Sequence, residues 1–276
     1  MNDRAEIESI PLYTHLDRIN SGLAVLGIGP TDKIQPDQLF PLDQWHYHGT
    51  DAVRAAADQL GLGPSSHVLE IGSGVGGPAR YLAHTTGCHV TALELQPKVH
   101  ALAADLTQRC GLADRVRHIC GDALSHPIPD ASFDAIVSWL AVLHIPDRKR
   151  LYARLAPALR PGGVCYIEDL CMRAPFAAQD LRDLHHIVFG ISVTGIQEHV
   201  DDLQAAGFVD VVGTDQTADW APYTSARLAA WQANHATYAR AHGEGAYAAQ
   251  ELFYAVIARL FATGSLGGVR LTARVP

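Results

Sequence analysis

The chain has 276 residues, 48% hydrophobic and 18% charged, enough for one large α/β domain and too apolar for general disorder. Its formal net charge of −8, from 21 basic against 29 acidic residues, argues against nucleic acid or an anionic membrane as a partner, since either would want a basic face. A polar start over 1–6, no bilayer-spanning apolar run, and five cysteines without CxxC spacing (Cys88, Cys110, Cys120, Cys165 and Cys171) predict a cytoplasmic protein with reduced thiols and no structural metal.

In chain order, Leu12, Leu16, Ile19, Leu23 and Leu26 recur at helical spacing over 11–28 and stop at the break over 27–30. Pro36 and Pro41 lead into an aromatic, histidine-rich stretch over 43–50, where Thr50 is placed to cap a helix running to about Gly61. Strand-like runs then appear at 67–71, 88–93, 115–120, 134–138 and 163–168, separated by helical stretches. That rhythm predicts a parallel sheet with helices on both faces. The basic run Asp147-Arg148-Lys149-Arg150 reads as the solvated start of a helix. Residues 174–206 read as helix, loop and helix, 209–213 as a sixth strand, and 224–262 as helix with a break over 242–245. The chain ends in an alternating strand over 267–274. Only about 55 residues and no strand separate strands six and seven, which predicts an antiparallel last strand closing the chain at an edge.

The run VLEIGSGVGGPAR (68–80) carries a buried strand through a glycine-rich turn into a helix. Gly72, Gly74 and Gly77 satisfy GxGxxG and would suit a dinucleotide. Gly76 gives the GxGxG spacing as well, and Glu70 puts a carboxylate before the turn, useful beside a cation and awkward beside a pyrophosphate. A second strand ends at Glu94, 22 residues after Gly72, with Leu95 and Gln96 following; a carboxylate there can accept both hydroxyls of a ribose. Asp122 and Ala123 follow the third strand, where an acid can accept an adenine amine; taken alone, Asp122 after Gly121 is a turn residue. The fourth strand reaches the ligand-binding edge at Ser138, followed by Trp139 and Leu140, and His144 comes six residues after Ser138. His144 either faces a reacting centre or packs a helix. The stretch Gln44-Trp45-His46-Tyr47-His48 is either a lid, its aromatic faces suited to a cation, or an anchor for the N-terminal segment. His185 and His186 are adjacent and point apart on a helix, without a third ligand, so no metal is expected there.

These segments, in this order, resemble class I S-adenosylmethionine-dependent methyltransferases from about residue 63 to 170, with Arg160-Pro161-Gly162-Gly163 as the turn before the fifth strand. The resemblance implies a Rossmann-like α/β fold: a seven-stranded, mostly parallel sheet with helices on both faces and a helical cap. Residues 1–62 would be a lid segment and 63–276 the core, with cap insertions at about 174–200 and 220–264. Removing 1–50 is expected to spare the sheet and cost turnover. The implied cofactor is S-adenosylmethionine, with Gly72, Gly74 and Gly76 around its methionine part, Glu94, Leu95 and Gln96 at the ribose, and Asp122 and Ala123 at the adenine. Ser138, Gln44 and Tyr47 would complete that site. A small-molecule acceptor would meet His48, Trp139, Leu140 and Asp169, with His144 as base or orienting group.

Gly111-Leu112-Ala113-Asp114, Leu143-His144-Ile145-Pro146-Asp147 and the glycines of the last strand are similar to the sarcosine/dimethylglycine and phosphoethanolamine methyltransferases. That likeness implies an amine nitrogen as acceptor, although those enzymes carry an Asp where this chain has Leu140. Alternatives are O- or C-methylation in natural-product metabolism, an NAD(P)-dependent oxidoreductase, and a non-catalytic donor-binding protein. A homodimer is compatible with all of them.

Overall fold

The structure is a computed structural model that describes residues 16–276; Leu12 and the polar 1–6 stretch lie outside the described residues. The N-terminal helix α1 (Asp17–Val25) buries Ile19 and Leu23, four residues apart on one face. Each contributes roughly 1.5–3 kcal/mol by leaving water. Helix α2 (Pro36–Asp43) opens with a capping box between Gln35 and Gln38. Helix α3 (Gly49–Leu60) turns Ala52, Val53, Ala56 and Ala57 inward and stops at Gly61 in the left-handed conformation. The cap position before α3 is His48, itself left-handed at φ 56°, so Thr50 lies inside the helix instead of capping it.

The alternating body follows: β1 (His67–Ile71), α4 (Gly77–Thr86), β2 (His89–Glu94), α5 (Pro97–Arg109), β3 (Val116–Cys120) and β4 (Phe133–Trp139). A single 3-10 turn, Val142–His144, precedes α6 (Arg148–Leu155) and the long β5 (Leu159–Met172). Asp147 caps α6 by accepting the Arg150 amide at 3.0 Å. The expected solvated basic start is only partly so. Arg148 is buried between Asp202 and Glu198, because the next helix but one brings those carboxylates over it. Helix α7 (Ala178–Asp183) runs into a π turn (Leu184–Val188), and α8 (Ile196–Ala205) leads to β6 (Val209–Asp215). Three helices, α9 (Thr217–Ala233), α10 (His235–His242) and α11 (Glu244–Ala262), precede β7 (Leu266–Arg274). The late helical region therefore starts at 217 and breaks at Asn234 as well as at Gly243.

The described residues form one seven-stranded sheet in the order β3-β2-β1-β4-β5-β7-β6. The neighbours from β3 to β5 pair in parallel, and β7 pairs antiparallel with both β5 and β6. The antiparallel last strand is as expected, but it does not close the sheet at an edge. It inserts between β5 and β6, and β6 is the edge, because the helical excursion from α9 to α11 lets the chain return beside β5.

Helices cover both faces. Val53, Ala57, Ala79 and Leu82 from α3 and α4 pack on one side, and Leu151, Tyr152, Leu155 and Leu203 from α6 and α8 on the other. A separate cluster joins Tyr47 to Trp220, Val256, Ile257 and Phe261 over the strands' carboxyl ends. No helix among the described residues is long and apolar enough to cross a membrane. The strand order reverses between β1 and β4, so the crevice beyond their carboxyl ends is where this topology places a ligand.

Candidate active site

A solvent-open cleft, about 870 Å³ with the open space at its mouth counted, lies at that crevice. Its floor is the end of β1 and the glycine turn: Glu70, Gly72, Ser73, Gly74 and Val75. Gly72 and Gly74 take φ values of 68° and 52°, a conformation that residues with a Cβ rarely adopt. A Cβ on Gly72 would meet that of Ala141 at 2.3 Å, whereas one on Gly74 would meet nothing within 4 Å and would project into open space. Gly76 plays a different part. It is the left-handed residue before α4, crowded by His118 and Arg80, and it does not line the cavity.

Three buried polar atoms around this floor have no hydrogen-bond partner among the described residues: Glu70 Oε2, Ser73 Oγ and Trp139 Nε1. All three residues line the cavity. Burial raises the Glu70 carboxyl to about 8, opposed by the Arg80 guanidinium and assisted by Glu94. Burial thus favours the protonated carboxyl, and a cation lying against it would favour ionisation.

Glu94 sits at the end of β2, buried, with Oε2 accepting the Gly74 amide at 2.9 Å and Oε1 accepting the Gln96 amide at 2.8 Å. It braces the glycine turn from the neighbouring strand; burial pushes its carboxyl up, against those backbone hydrogen bonds. Leu95 and Gln96 continue from it along the sheet edge. Asp122 lies past β3, its Oδ1 accepting the Leu124 amide at 2.8 Å in a local turn with Ala123. Glu94, Asp122 and their neighbours thus follow the sheet's carboxyl edge outside the cavity wall.

Beyond β4 the wall is Trp139, Leu140, Leu143 and His144. Leu140 is left-handed at φ 51°, and its amide is held by the Glu168 carbonyl at 2.8 Å. Ser138 is buried and donates to the Ile71 carbonyl at 3.0 Å, tying β4 to β1 beneath the site. Asp169 lies just behind the wall, with Oδ2 accepting the Leu143 amide at 2.9 Å and Oδ1 that of Leu170 at 2.7 Å. Burial raises its carboxyl to about 7 against those bonds. It supports the 3-10 turn that carries His144 and does not line the cavity.

His144 Nδ1 lies 2.8 Å from the Phe189 carbonyl, which can only accept, so Nδ1 carries the proton and Nε2 is the basic nitrogen. Burial lowers its pKa, so the imidazole is neutral at pH 7.

The roof comes from the N-terminal segment and the late helices. Trp45, His46 and Tyr47 line the cavity, whereas Gln44 bonds Asp43 and His48 faces Asp219 at 2.9 Å and the Tyr223 ring, both outside it. Tyr47 meets Trp220 edge-on, with ring centroids 4.7 Å apart. Burial also lowers His46, to about 4.

Sequence reasoning missed the residues that complete the roof: Arg18, Arg227, Phe253, Tyr254 and Ile257. One signal for them was present, since Phe253 and Ile257 stand four apart on a helix and Arg227 is the one charged residue of α9 after Asp219. The other missed contact is the fully buried pair Arg80–Asp43 at 2.9 Å, which ties α2 to the helix after the glycine turn. No group of three or more metal-ligating side chains occurs among the described residues.

A family model described as a methyltransferase domain matches residues 69–167. A sterol 24-C-methyltransferase of Gibberella zeae is 32% identical over 176 residues, covering 59% of this chain and 46% of that protein. Phosphoethanolamine N-methyltransferase 1 of Arabidopsis thaliana is 30% identical over 169 residues, covering 61% of this chain and 34% of that one. The chain thus spans less than half the length of these curated relatives. Haemonchus contortus phosphoethanolamine N-methyltransferase 2, solved with phosphomonomethylethanolamine and S-adenosylhomocysteine, superposes with a TM-score of 0.82 at 19% identity. That match covers 100% of this chain and 61% of that one. Over residues 69–167, from β1 into β5, the chain matches the methyltransferase-domain model, and its fold is shared with a methyltransferase solved with S-adenosylhomocysteine.

Proposed function

We propose that this protein transfers a methyl group from S-adenosylmethionine to a small-molecule acceptor held between the β1/β4 switch point and the helical cap. The observation that carries this reading is the set of orphaned buried atoms, Glu70 Oε2, Ser73 Oγ and Trp139 Nε1, around a glycine turn whose Cα hydrogens leave room for a ligand. The cavity fits the donor's sulfonium end, with a carboxyl that a cation would help to ionise and an aromatic roof; in this reading the ribose lies past the cavity wall at Glu94, which braces the glycine turn. When bound, S-adenosylmethionine supplies an electrophilic methyl on a sulfonium, and the carbon–sulfur bond breaks as the acceptor–carbon bond forms.

The protein aligns the partners, excludes water through Tyr47, Phe253 and Ile257, and takes the acceptor's proton on His144 Nε2. An amine nitrogen is the first acceptor atom. A carbon or oxygen nucleophile is the second, favoured by the apolar wall of Leu140, Leu143, Leu170 and Val188. A cytoplasmic setting suits the five free thiols.

Calorimetry with S-adenosylhomocysteine tests the donor site. Wild type should bind at micromolar strength or better, about −8 kcal/mol. Gly74→Val should stay folded, at a strain cost of ~1–3 kcal/mol, and lose binding as its methyls enter the cavity. Undiminished binding in that variant would remove the glycine turn from the donor site.

A further inference from the structure

Two cations line the cavity, Arg18 and Arg227, and both lie beside Trp45. The Arg18 guanidinium lies 3.8 Å over the Trp45 ring, on the side where Trp45 packs with Val75 of the glycine turn. Arg227 comes from the middle of α9, a helix fixed on the sheet by Trp220, which is buried against Gly268 of β7. Its guanidinium lies 4.7 Å over the Tyr254 ring of α11, and Nη2 reaches the Trp45 carbonyl only at 3.5 Å. No carboxylate forms an ion pair with Arg227 among the described residues.

Neither acidic group of the cavity forms an ion pair with Arg227. Asp43 is paired with Arg80, and Glu70 is at the floor. This half-buried guanidinium shares a hydrogen bond with the Tyr254 side chain and makes one long carbonyl contact; the others of its five donors are left for a ligand, and it stays charged at every accessible pH. The same cavity is lined by Phe253, Ile257, Leu143 and Val188, which offer an acceptor no polar contact at all.

We propose that Arg227 is the anion-recognition residue of the acceptor subsite, and that the acceptor is an apolar-bodied molecule bearing one carboxylate or phosphate. The inference rests on the methyltransferase reading and adds the chemistry of the second substrate. The guanidinium fork pairs with the anion in two parallel hydrogen bonds, which fixes the direction in which the molecule enters. The apolar body then lies along the Leu143–Ile257 wall and presents its nucleophilic atom toward His144. An amine that carries no such anion is disfavoured, because Arg227 puts positive charge on the cap side of the cavity, whereas an amine nitrogen on an anionic molecule remains an acceptor.

The test compares charged probes with neutral isosteres: 4-phenylbutyrate and phenyl phosphate against 4-phenylbutanol. Each is titrated into the full chain with and without saturating S-adenosylhomocysteine, following tryptophan fluorescence. Wild type should prefer at least one anion over the alcohol by roughly tenfold or more, the scale of a charge-assisted pair. Preference for the carboxylate or for the phosphate identifies the anion. Arg227→Met should bind all three alike and Arg227→Lys should keep part of the preference, with S-adenosylhomocysteine affinity unchanged in both.

Equal binding of acid and alcohol by wild type overturns the proposal without needing any variant. A donor affinity that falls in Arg227→Met while the anion preference survives also overturns it, by moving Arg227 to the donor's carboxylate. Failure of wild type to bind S-adenosylhomocysteine would count against the methyltransferase reading instead, and the probe comparison without it would still decide the role of Arg227.

Discussion

His144 combines a short sequence distance from β4 with a long-range partner, the carbonyl of Phe189, which sets its tautomer. The resemblance to small-amine methyltransferases implies an acid four residues earlier, where this chain has Leu140. The Phe189 carbonyl orients the ring and accepts from Nδ1, so Nε2 is the basic nitrogen. Burial lowers the histidine's pKa, so the neutral, base-competent form is lost only as pH falls below the ordinary histidine range. Turnover should therefore rise with pH through a pKa below 6.5, the usual histidine value, and be flat near neutrality. His144→Ala should abolish that limb and slow single turnover by ~10²–10⁴ with donor affinity nearly unchanged. A small loss confined to the acceptor's KM would make His144 an orienting group, and unchanged kinetics would remove it from the site. The sequence could mark His144 as a candidate from its place after the strand, but not its tautomer, because Phe189 is 45 residues away.

The N-terminal strap and the glycine-turn helix are joined by a device that neither element shows alone. Arg80 Nη2 bonds Asp43 Oδ2 at 2.9 Å and the Val75 carbonyl at 2.6 Å, while Nη1 reaches the Ala103 carbonyl and Thr107 at 3.2 Å. One side chain thus links α2, α4, α5 and the turn itself. Burial raises the Asp43 carboxyl and the guanidinium opposes it, so each charge depends on the other. The close approach also requires Gly77, where a Cβ would lie 2.3 Å from the Asp43 carbonyl oxygen. Asp43→Leu should cost about 3–5 kcal/mol, as an uncompensated buried arginine does. Adding Arg80→Met should recover part of that loss. Urea denaturation of the two singles and the double would measure the coupling; additive losses would show that the pair is not the link between these elements.

At the scale of the molecule, the described N-terminal residues from α1 to α2 are part of the core and not a detachable cover. Ile19 and Leu23 of α1, with Ile34 and Leu39, form one buried cluster with Val75 of the glycine turn and Val99 and Leu106 of α5. The expectation that residues 1–50 could be removed without harm to the sheet does not suit this packing. Truncation would strip that cluster and leave Arg80 without Asp43. The truncated chain should be destabilised by several kcal/mol or fail to fold, as seen by circular dichroism and by the loss of a cooperative urea transition. A truncated protein with a wild-type midpoint would restore the idea of a separate lid.

The sequence by itself determined the alternation of strands and helices, the glycine turn and the antiparallel last strand, because period, turn chemistry and connection length are local properties of the chain. It also placed Gly72, Gly74, Trp139 and His144 on what became one cavity, since each stands at or just past a strand's carboxyl end. It misjudged where β7 would sit, because connection length sets a strand's direction but not its neighbours. Arg227, Arg80–Asp43 and the Phe189 carbonyl were decided only by tertiary structure. Each meets its partner across 37 to 182 residues of chain, and side chains that far apart are brought together by packing, which no local pattern records.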